Sequence, residues 1–469
     1  MSKVVLYELN EVPWEVVDLY VERRPSSHLA RLLPKARLET TRNDDPEHLA
    51  PWRSWPTFHK GVYTTAHNSW ELGQDPATYR GGPNIWDVAE DEGLAVGLFG
   101  VLQSWPARKF RNGGFFVPDT FAGSPDTDPP ELRSYQEFNL AMTEELGFSP
   151  DKPLNPARLA RWGLDLVRRG LTPWSAAQVV RRFARERRDV RHKASRSIVQ
   201  VLPAFDLYWR LQRTFDPDLS IFYSNHVAGM MHRFWGDTMP GYDKDNPYTP
   251  DPVWGSFIVD AMDVFDHQLG RMVRYCSAHP DTVVILAASI GQDGVPYQHI
   301  ADTYILAEPE RLIAALQLTG AENALAMYPM GGLRLPTEAA AEVAATALAS
   351  IEVDGEPLFG GIRVDGQGLT FGISMPYDAE GLGRVATYLV PGEEARRTAR
   401  IEELGIAVAQ RLGGGNTGWH VPDGIYITFG ASIEPEGGRT VFDVRDAPAR
   451  ICGHLGIAEA WDAARASAR

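Results

Sequence analysis

Leu219-Ser220-Ile221-Phe222-Tyr223-Ser224-Asn225-His226-Val227-Ala228-Gly229-Met230-Met231-His232-Arg233-Phe234-Trp235 opens as a short apolar run and turns abruptly polar. The first six residues have the length and composition of a strand buried on both faces. Four further runs share that character: Val4–Leu9, Leu94–Val101, Thr282–Ala288 and Ile425–Phe429. Helical patterns alternate with them, at Ile85–Glu92, Trp254–Ser277 and Arg397–Arg411. Apolar strands separated by helices predict an α/β fold, with a mostly parallel central sheet and helices on both faces. In such sheets ligands bind beyond the carboxyl ends of the strands, where loops and helix N-termini converge.

Working outward, two stretches interrupt the rhythm. Residues 125–215 are Pro-rich at first, then helical and basic, which predicts a helical cap inserted into the core. Residues 307–395 contain Leu325–Leu335, the Ala-rich helix Thr337–Ser350 and the Gly- and Asp-punctuated run Arg363–Ser374, which predicts a small α+β insertion. The core is then expected in three parts, 1–124, 216–306 and 396–469. No internal repeat is visible.

The 469 residues are 44% hydrophobic and 23% charged, globular values that exclude a disordered or low-complexity chain. Cys276 and Cys452 are the only cysteines and stand in no metal-ligand spacing, so neither a disulfide framework nor a cysteine metal site is expected. No run of eighteen apolar residues occurs, and Met1–Tyr7 lacks the apolar stretch of a signal peptide, which predicts a cytoplasmic protein without a membrane span. A net charge of −15 argues against nucleic acid as a partner; the partner expected is a small-molecule substrate, polar or anionic. The charge is uneven: residues 151–200 hold thirteen Lys/Arg against four Asp/Glu. Such a basic stretch is either a solvated helix face or a surface for an anionic substrate, a phosphate-bearing polymer or a membrane.

Polar residues follow each predicted strand. Glu8, Asn10 and Glu11 close the first, Asn225 and His226 follow the Leu219 strand, and Ser289-Ile290-Gly291-Gln292-Asp293 follows the Thr282 strand. Gly418-Trp419-His420 stands just before the last strand. A further segment, Pro51-Trp52-Arg53-Ser54-Trp55-Pro56-Thr57-Phe58-His59-Lys60-Gly61, is followed by His67-Asn68. A single histidine at a strand end is ordinarily a satisfied hydrogen-bonding group; five polar segments at one sheet edge predict a pocket.

The matching segments are Lys60-Gly61 with His67-Asn68, Pro83-Asn84-Ile85-Trp86-Asp87 with Gly97–Val101, His232-Arg233-Phe234-Trp235, Ala288-Ser289-Ile290-Gly291, and Gly418-Trp419-His420 with Asp423-Gly424. In this order they resemble the alkaline phosphatase superfamily, specifically its type I phosphodiesterase/nucleotide pyrophosphatase branch. The resemblance implies an alkaline-phosphatase-like core, two metal ions and a Ser/Thr nucleophile. Most of that machinery is replaced here. The family's first metal-binding Asp falls on Asn10, its nucleophile on Pro51, its middle Asp on Ala228, and its Asp-His pair on Ser289-Ile290. Only His232 and His420 stand at unchanged ligand positions.

Neutral amides, hydroxyls and an isoleucine compensate poorly for dehydration of a divalent ion, so the two-metal mechanism is not expected. One remnant site is: His232 and His420 with a third ligand from Glu8, Glu11, Asn225 or His226, a set that suits a single zinc with an open position. The expected function is a divergent hydrolase or group transferase acting on a small polar metabolite, phosphorylated, sulfated or glycan-related. The alternative is a non-catalytic binding or pathway-partner protein on the same scaffold. For the enzyme, His59, His67, His226 or His232 would supply the acid–base work, Glu8 and Glu11 would act as a base or as ligands, and Ser54 or Thr57 is the fallback nucleophile, each needing an adjacent base. Either hydroxyl could equally be a helix cap. Asn10, Glu11, Trp55, His67, Asn225, His226 and Gln292 are the candidate substrate-binding residues.

Overall fold

The computed structural model describes residues 2–72, 74, 76–148, 156–298, 303–324, 326, 330–377, 381–409 and 416–467. Its strands include β1 (Lys3–Leu9), β2 (Arg37–Arg42), β3 (Val96–Phe99), β4 (Gly114–Val117), β5 (Leu219–Ser224) and β6 (Thr282–Ala287). After them come β7 (Gly291–Gln298), β8 (Thr303–Leu306), β9 (Ile406–Ala409), β10 (Asn416–Val421), β11 (Asp423–Gly430) and β12 (Glu436–Asp443). Eight of these form the central sheet in the order β12-β2-β11-β6-β1-β5-β3-β4. Every neighbouring pair is parallel except those of β11, which runs antiparallel to both β6 and β2. The sheet is therefore mostly parallel, as the apolar runs predict.

Residue alternation along β1 shows why both faces must be covered. Val5, Tyr7 and Leu9 enter one hydrophobic cluster and Val4 and Leu6 the other. One cover contains the helices α1 (Pro51–Lys60) and Ile85–Asp91, the latter started by an Asn84/Asp87 capping box. The other is built from α2 (Arg133–Phe148), α3 (Pro156–Arg169), α4 (Pro173–Arg188), α5 (Ser197–Phe215), α6 (Ala228–Thr238) and α7 (Phe257–Ala278). Helix α5 lies directly on the sheet, with Phe205 and Tyr208 against Phe222. No described helix is long and apolar enough to cross a membrane.

A third cluster, from Tyr304 to Ile406, has its own core around the helix Glu338–Ala349. Here the sequence reading needs a correction. Arg397–Arg411 is not a helix: Arg397–Arg400 is a strand, Ile401–Leu404 a 3-10 turn, and β9 follows, pairing antiparallel with β8; residues 410 and 411 lie outside the described set. Gly405 is the reason. It sits at φ +81°, and a Cβ there would stand 2.1 Å from the Glu308 carbonyl, so the chain turns where a helix would have to continue. The strands β2, β4 and β12 are additions; β12 is an exposed edge strand, and β2 beside it buries the polar Glu39, Thr40 and Thr41, so neither reads as an apolar run.

Candidate metal centre

Three elements bring three donor groups together. Strand β1 hands over to a turn in which Asn10 N–H donates to the Ser224 carbonyl of β5, and Glu11 adopts φ +61°. That left-handed conformation is costly for a residue with a Cβ, of order 1 kcal/mol or more, and such outliers gather at functional sites. Helix α6 starts where β5 ends and carries His232 on its second turn. Strand β10 pairs with β7 so that His420 stands opposite Gln292.

The Glu11 Oε2 atom lies 3.0 Å from His232 Nε2 and 3.4 Å from His420 Nε2. These three residues form a group whose ligating atoms all fall within 4.8 Å of one another. The other ring nitrogens are already engaged. His232 Nδ1 is 3.0 Å from the Gly418 carbonyl and His420 Nδ1 is 2.8 Å from the Leu49 carbonyl. A carbonyl oxygen only accepts, so both Nδ1 atoms carry hydrogen and both rings, when neutral, present Nε2 lone pairs to a carboxylate. Three electron-pair donors cannot face one another without positive charge between them. Protons supply it when the imidazoles are charged; a divalent cation supplies it otherwise. His420 Nε2 is buried and makes no hydrogen bond among the described residues, as expected of an atom directed at such a position.

The electrostatics agree. Burial raises the Glu11 pKa, but the charges of His420 and His232 outweigh it and hold the carboxyl far below its ordinary value. Burial lowers that of His420, and the Glu11 carboxylate overcomes this to leave it above ordinary. The side chains of Glu11 and His420 are nearly enclosed, while His232 is 25% exposed, so the group has one open side. Trp419, half-exposed, and His48 pack around that opening.

A ring of amides fixes the carboxylate. Asn10 Nδ2 donates to Glu11 Oε1 at 2.7 Å and to Asn225 Oδ1 at 2.7 Å, Trp55 Nε1 donates to Asn10 Oδ1, and Gln292 Nε2 donates to Glu11 Oε2. Asn10, Trp55 and Gln292, expected to bind substrate, are thus placed to hold Glu11, and Glu11 itself joins the two histidines. Asn225 is exposed and faces a cavity of about 330 Å³ beyond the carboxyl ends of β3 and β5, roofed by α2 and α5. Among the described residues, no Asp, Glu, Lys or Arg side chain lines this cavity.

The remaining predicted residues are elsewhere. His59 Nε2 and Glu8 Oε1 are 2.5 Å apart, but the pair is sealed from solvent among Trp55, Phe58 and Trp86. Ser54 is hydrogen-bonded to Ser289, 2.8 Å away and buried. Thr57 Oγ1 is bonded to the Arg53 carbonyl and to His67 Nε2. His67 Nδ1 accepts from Ser69 N–H, and burial with the nearby Lys60 charge lowers the ring to about 4, so the neutral ring donates to Thr57 and cannot take its proton. Neither fallback hydroxyl has the adjacent base that a nucleophile needs. His226 lines the cavity with both nitrogens in use, Nδ1 on Ser224 at 2.6 Å and Nε2 on the Ala261 carbonyl, and burial lowers its pKa to about 3.

Sequence reasoning missed the carbonyls of Leu49 and Gly418, which no side-chain pattern announces, and the cavity roof, including Asn139 and Gln200, which are hydrogen-bonded to each other at 2.9 Å.

No family model and no curated protein matches the chain. Among solved structures it is similar to murine ectonucleotide pyrophosphatase/phosphodiesterase 5 in complex with AMP, at 11% identity and a TM-score of 0.39, over 97% of this chain and 95% of that one. The human protein of that name gives 10% identity and a TM-score of 0.37 over the same shares. Phosphonoacetate hydrolase from Sinorhizobium meliloti, in complex with phosphonoformate, gives 12% and 0.38 over 97% and 96%.

Proposed function

We propose that the chain is a hydrolase or group transferase built around one divalent cation, zinc by its donor set, held by Glu11, His232 and His420. The observation that supports this is the convergence of one carboxylate oxygen and two Nε2 lone pairs whose rings are locked through Nδ1. Two imidazoles and one carboxylate with an open side are the ligand set of a catalytic rather than a structural zinc. A cation bound there would polarise an oxygen of the substrate as a Lewis acid.

The chain's own residues do the rest. Carbonyls of Gly418 and Leu49 fix the imidazole orientation, and Asn10 and Gln292 fix the carboxylate, the outer-shell arrangement that tunes such sites. Asn225 links this frame to the cavity, whose neutral lining suits an uncharged, polyhydroxylated or heterocyclic part of the substrate. The reacting group, anionic or ester-like, then lies toward the cation. Neither Ser54 nor Thr57 has a base, which favours attack by water over a serine or threonine intermediate.

The test is turnover of nitrophenyl esters of phosphate, phosphonate and sulfate by chelator-free protein. Cleavage that is lost with chelator, restored by zinc and absent from His420→Ala supports the proposal. Cleavage that survives chelator contradicts it. The non-catalytic reading would be favoured by a protein that binds zinc and a cavity ligand yet turns over no ester.

A further inference from the structure

The basic segment hides its acids and exposes its apolar residues. On α3 the solvent stripe is Arg161, Leu164, Val167 and Arg168, three and four residues apart. Val167 is 57% exposed, although Trp162 and Leu166 on the opposite face are buried in the core. After the turn at Gly170–Thr172, α4 repeats the pattern. Val180 is 68% and Phe183 44% exposed, flanked by exposed Arg181, Arg187 and Arg188. Of the eleven large hydrophobic residues exposed among the described residues, five lie between Leu164 and Val190.

The charges are sorted in the same way. Each described acid of this segment is engaged by an arginine: Asp165 by Arg169 at 2.6 Å, Glu186 by Arg196 at 2.8 Å, and Asp189 by Arg191 at 2.6 Å. The five arginines of the two stripes form no ion pair among the described residues, and no acid of α3 or α4 is exposed. A helix with aliphatic and aromatic side chains interleaved with unpaired cations is the form that lies in a membrane interface, the apolar groups entering the acyl boundary and the cations meeting anionic headgroups.

We propose that the outer face of α3 and α4 docks the protein on an anionic lipid surface. A second copy of this chain fits the surface poorly, because a two-fold contact would set like charges against like. Nucleic acid would use the arginines and leave Leu164, Val167 and Val180 without a role. The inference is independent of the metal reading.

The test is co-sedimentation of the full chain with phosphatidylcholine vesicles, alone or containing about a third phosphatidylglycerol, at about 0.1 M salt. Binding is expected only with phosphatidylglycerol. It should weaken about tenfold or more in Arg181→Glu/Arg187→Glu, and again in Val180→Ser/Phe183→Ser, since each basic residue near the surface and each buried apolar group contributes separately. These exposed positions should leave far-UV CD and Tm unchanged, which separates lost docking from lost folding. Four results would overturn the proposal: no sedimentation with either vesicle, equal sedimentation with both, retention on single-stranded RNA that the same variants abolish, or a dimer that they dissociate.

Discussion

Two carboxylate–imidazole clusters stand three residues apart at the end of β1, and they differ in every respect that matters to chemistry. Glu8 points to the sheet face that holds Trp55 and Trp86 and meets one imidazole, His59, at 2.5 Å in a dry aromatic enclosure; its Oε2 has no hydrogen-bond partner among the described residues. Glu11 points to the face of α6 and meets two imidazoles, each with Nδ1 committed to a carbonyl, beside an opening to solvent. The first is a closed pair joined through one shared hydrogen. The second leaves lone pairs converging on a space that only added positive charge satisfies. Residue types alone do not separate a closed pair from a group able to hold a metal; the number of imidazoles that meet the carboxylate and access to solvent do.

The largest expected effect follows from removing a donor. Glu11→Ala, His232→Ala or His420→Ala should each take the protein from one bound zinc to none under dialysis, while Glu8→Ala and His59→Ala leave zinc binding intact; elemental analysis reads both. The converse holds for stability. Removing one member of the buried Glu8–His59 pair strands the other and should cost about 3–5 kcal/mol in urea unfolding, with the double variant costing less than the sum of the singles. Smaller effects are expected in the frame: Gln292→Ala or Asn10→Ala should weaken zinc binding about 10- to 100-fold without altering its stoichiometry, measured by competition with a chromophoric chelator.

The smallest is a pH effect. Because Glu11 raises the His420 pKa above the ordinary 6.5, protons compete with the cation below that raised value, so zinc affinity should rise with pH and level off once His420 is neutral. In the metal-free protein the signs are separate. The Glu11 contribution to stability, from a lowered pKa, is present above about 4.5 and fades as pH falls towards its folded value. The His420 contribution, from a raised pKa, is present below about 6.5 and fades as pH rises through its folded value. Metal-free protein should therefore be most stable between those two pH values in thermal melts, and the maximum should flatten in Glu11→Gln.

What the sequence disclosed follows from where each feature is encoded. Strands such as β5 and β6 are buried on both faces, so their apolar runs announce them, whereas the edge strand Glu436–Asp443 and its neighbour Arg37–Arg42 carry polar residues that hide them. His232 and His420 were legible because they occupy positions in a motif order. The carboxylate was not, since Glu8 and Glu11 look alike on paper. Strand alternation sends them to opposite faces, and the left-handed turn at Glu11 completes the separation. Arg397–Arg411 misled because its apolar and charged spacing imitates a helix while Gly405 breaks it.

The central claim is a single cation among Glu11, His232 and His420. Zinc stoichiometry of the chelator-free protein, measured by elemental analysis beside Glu11→Ala, tests it most directly. One equivalent in the parent and none in the variant is the predicted result; two equivalents, or none in the parent after zinc is supplied, would contradict it.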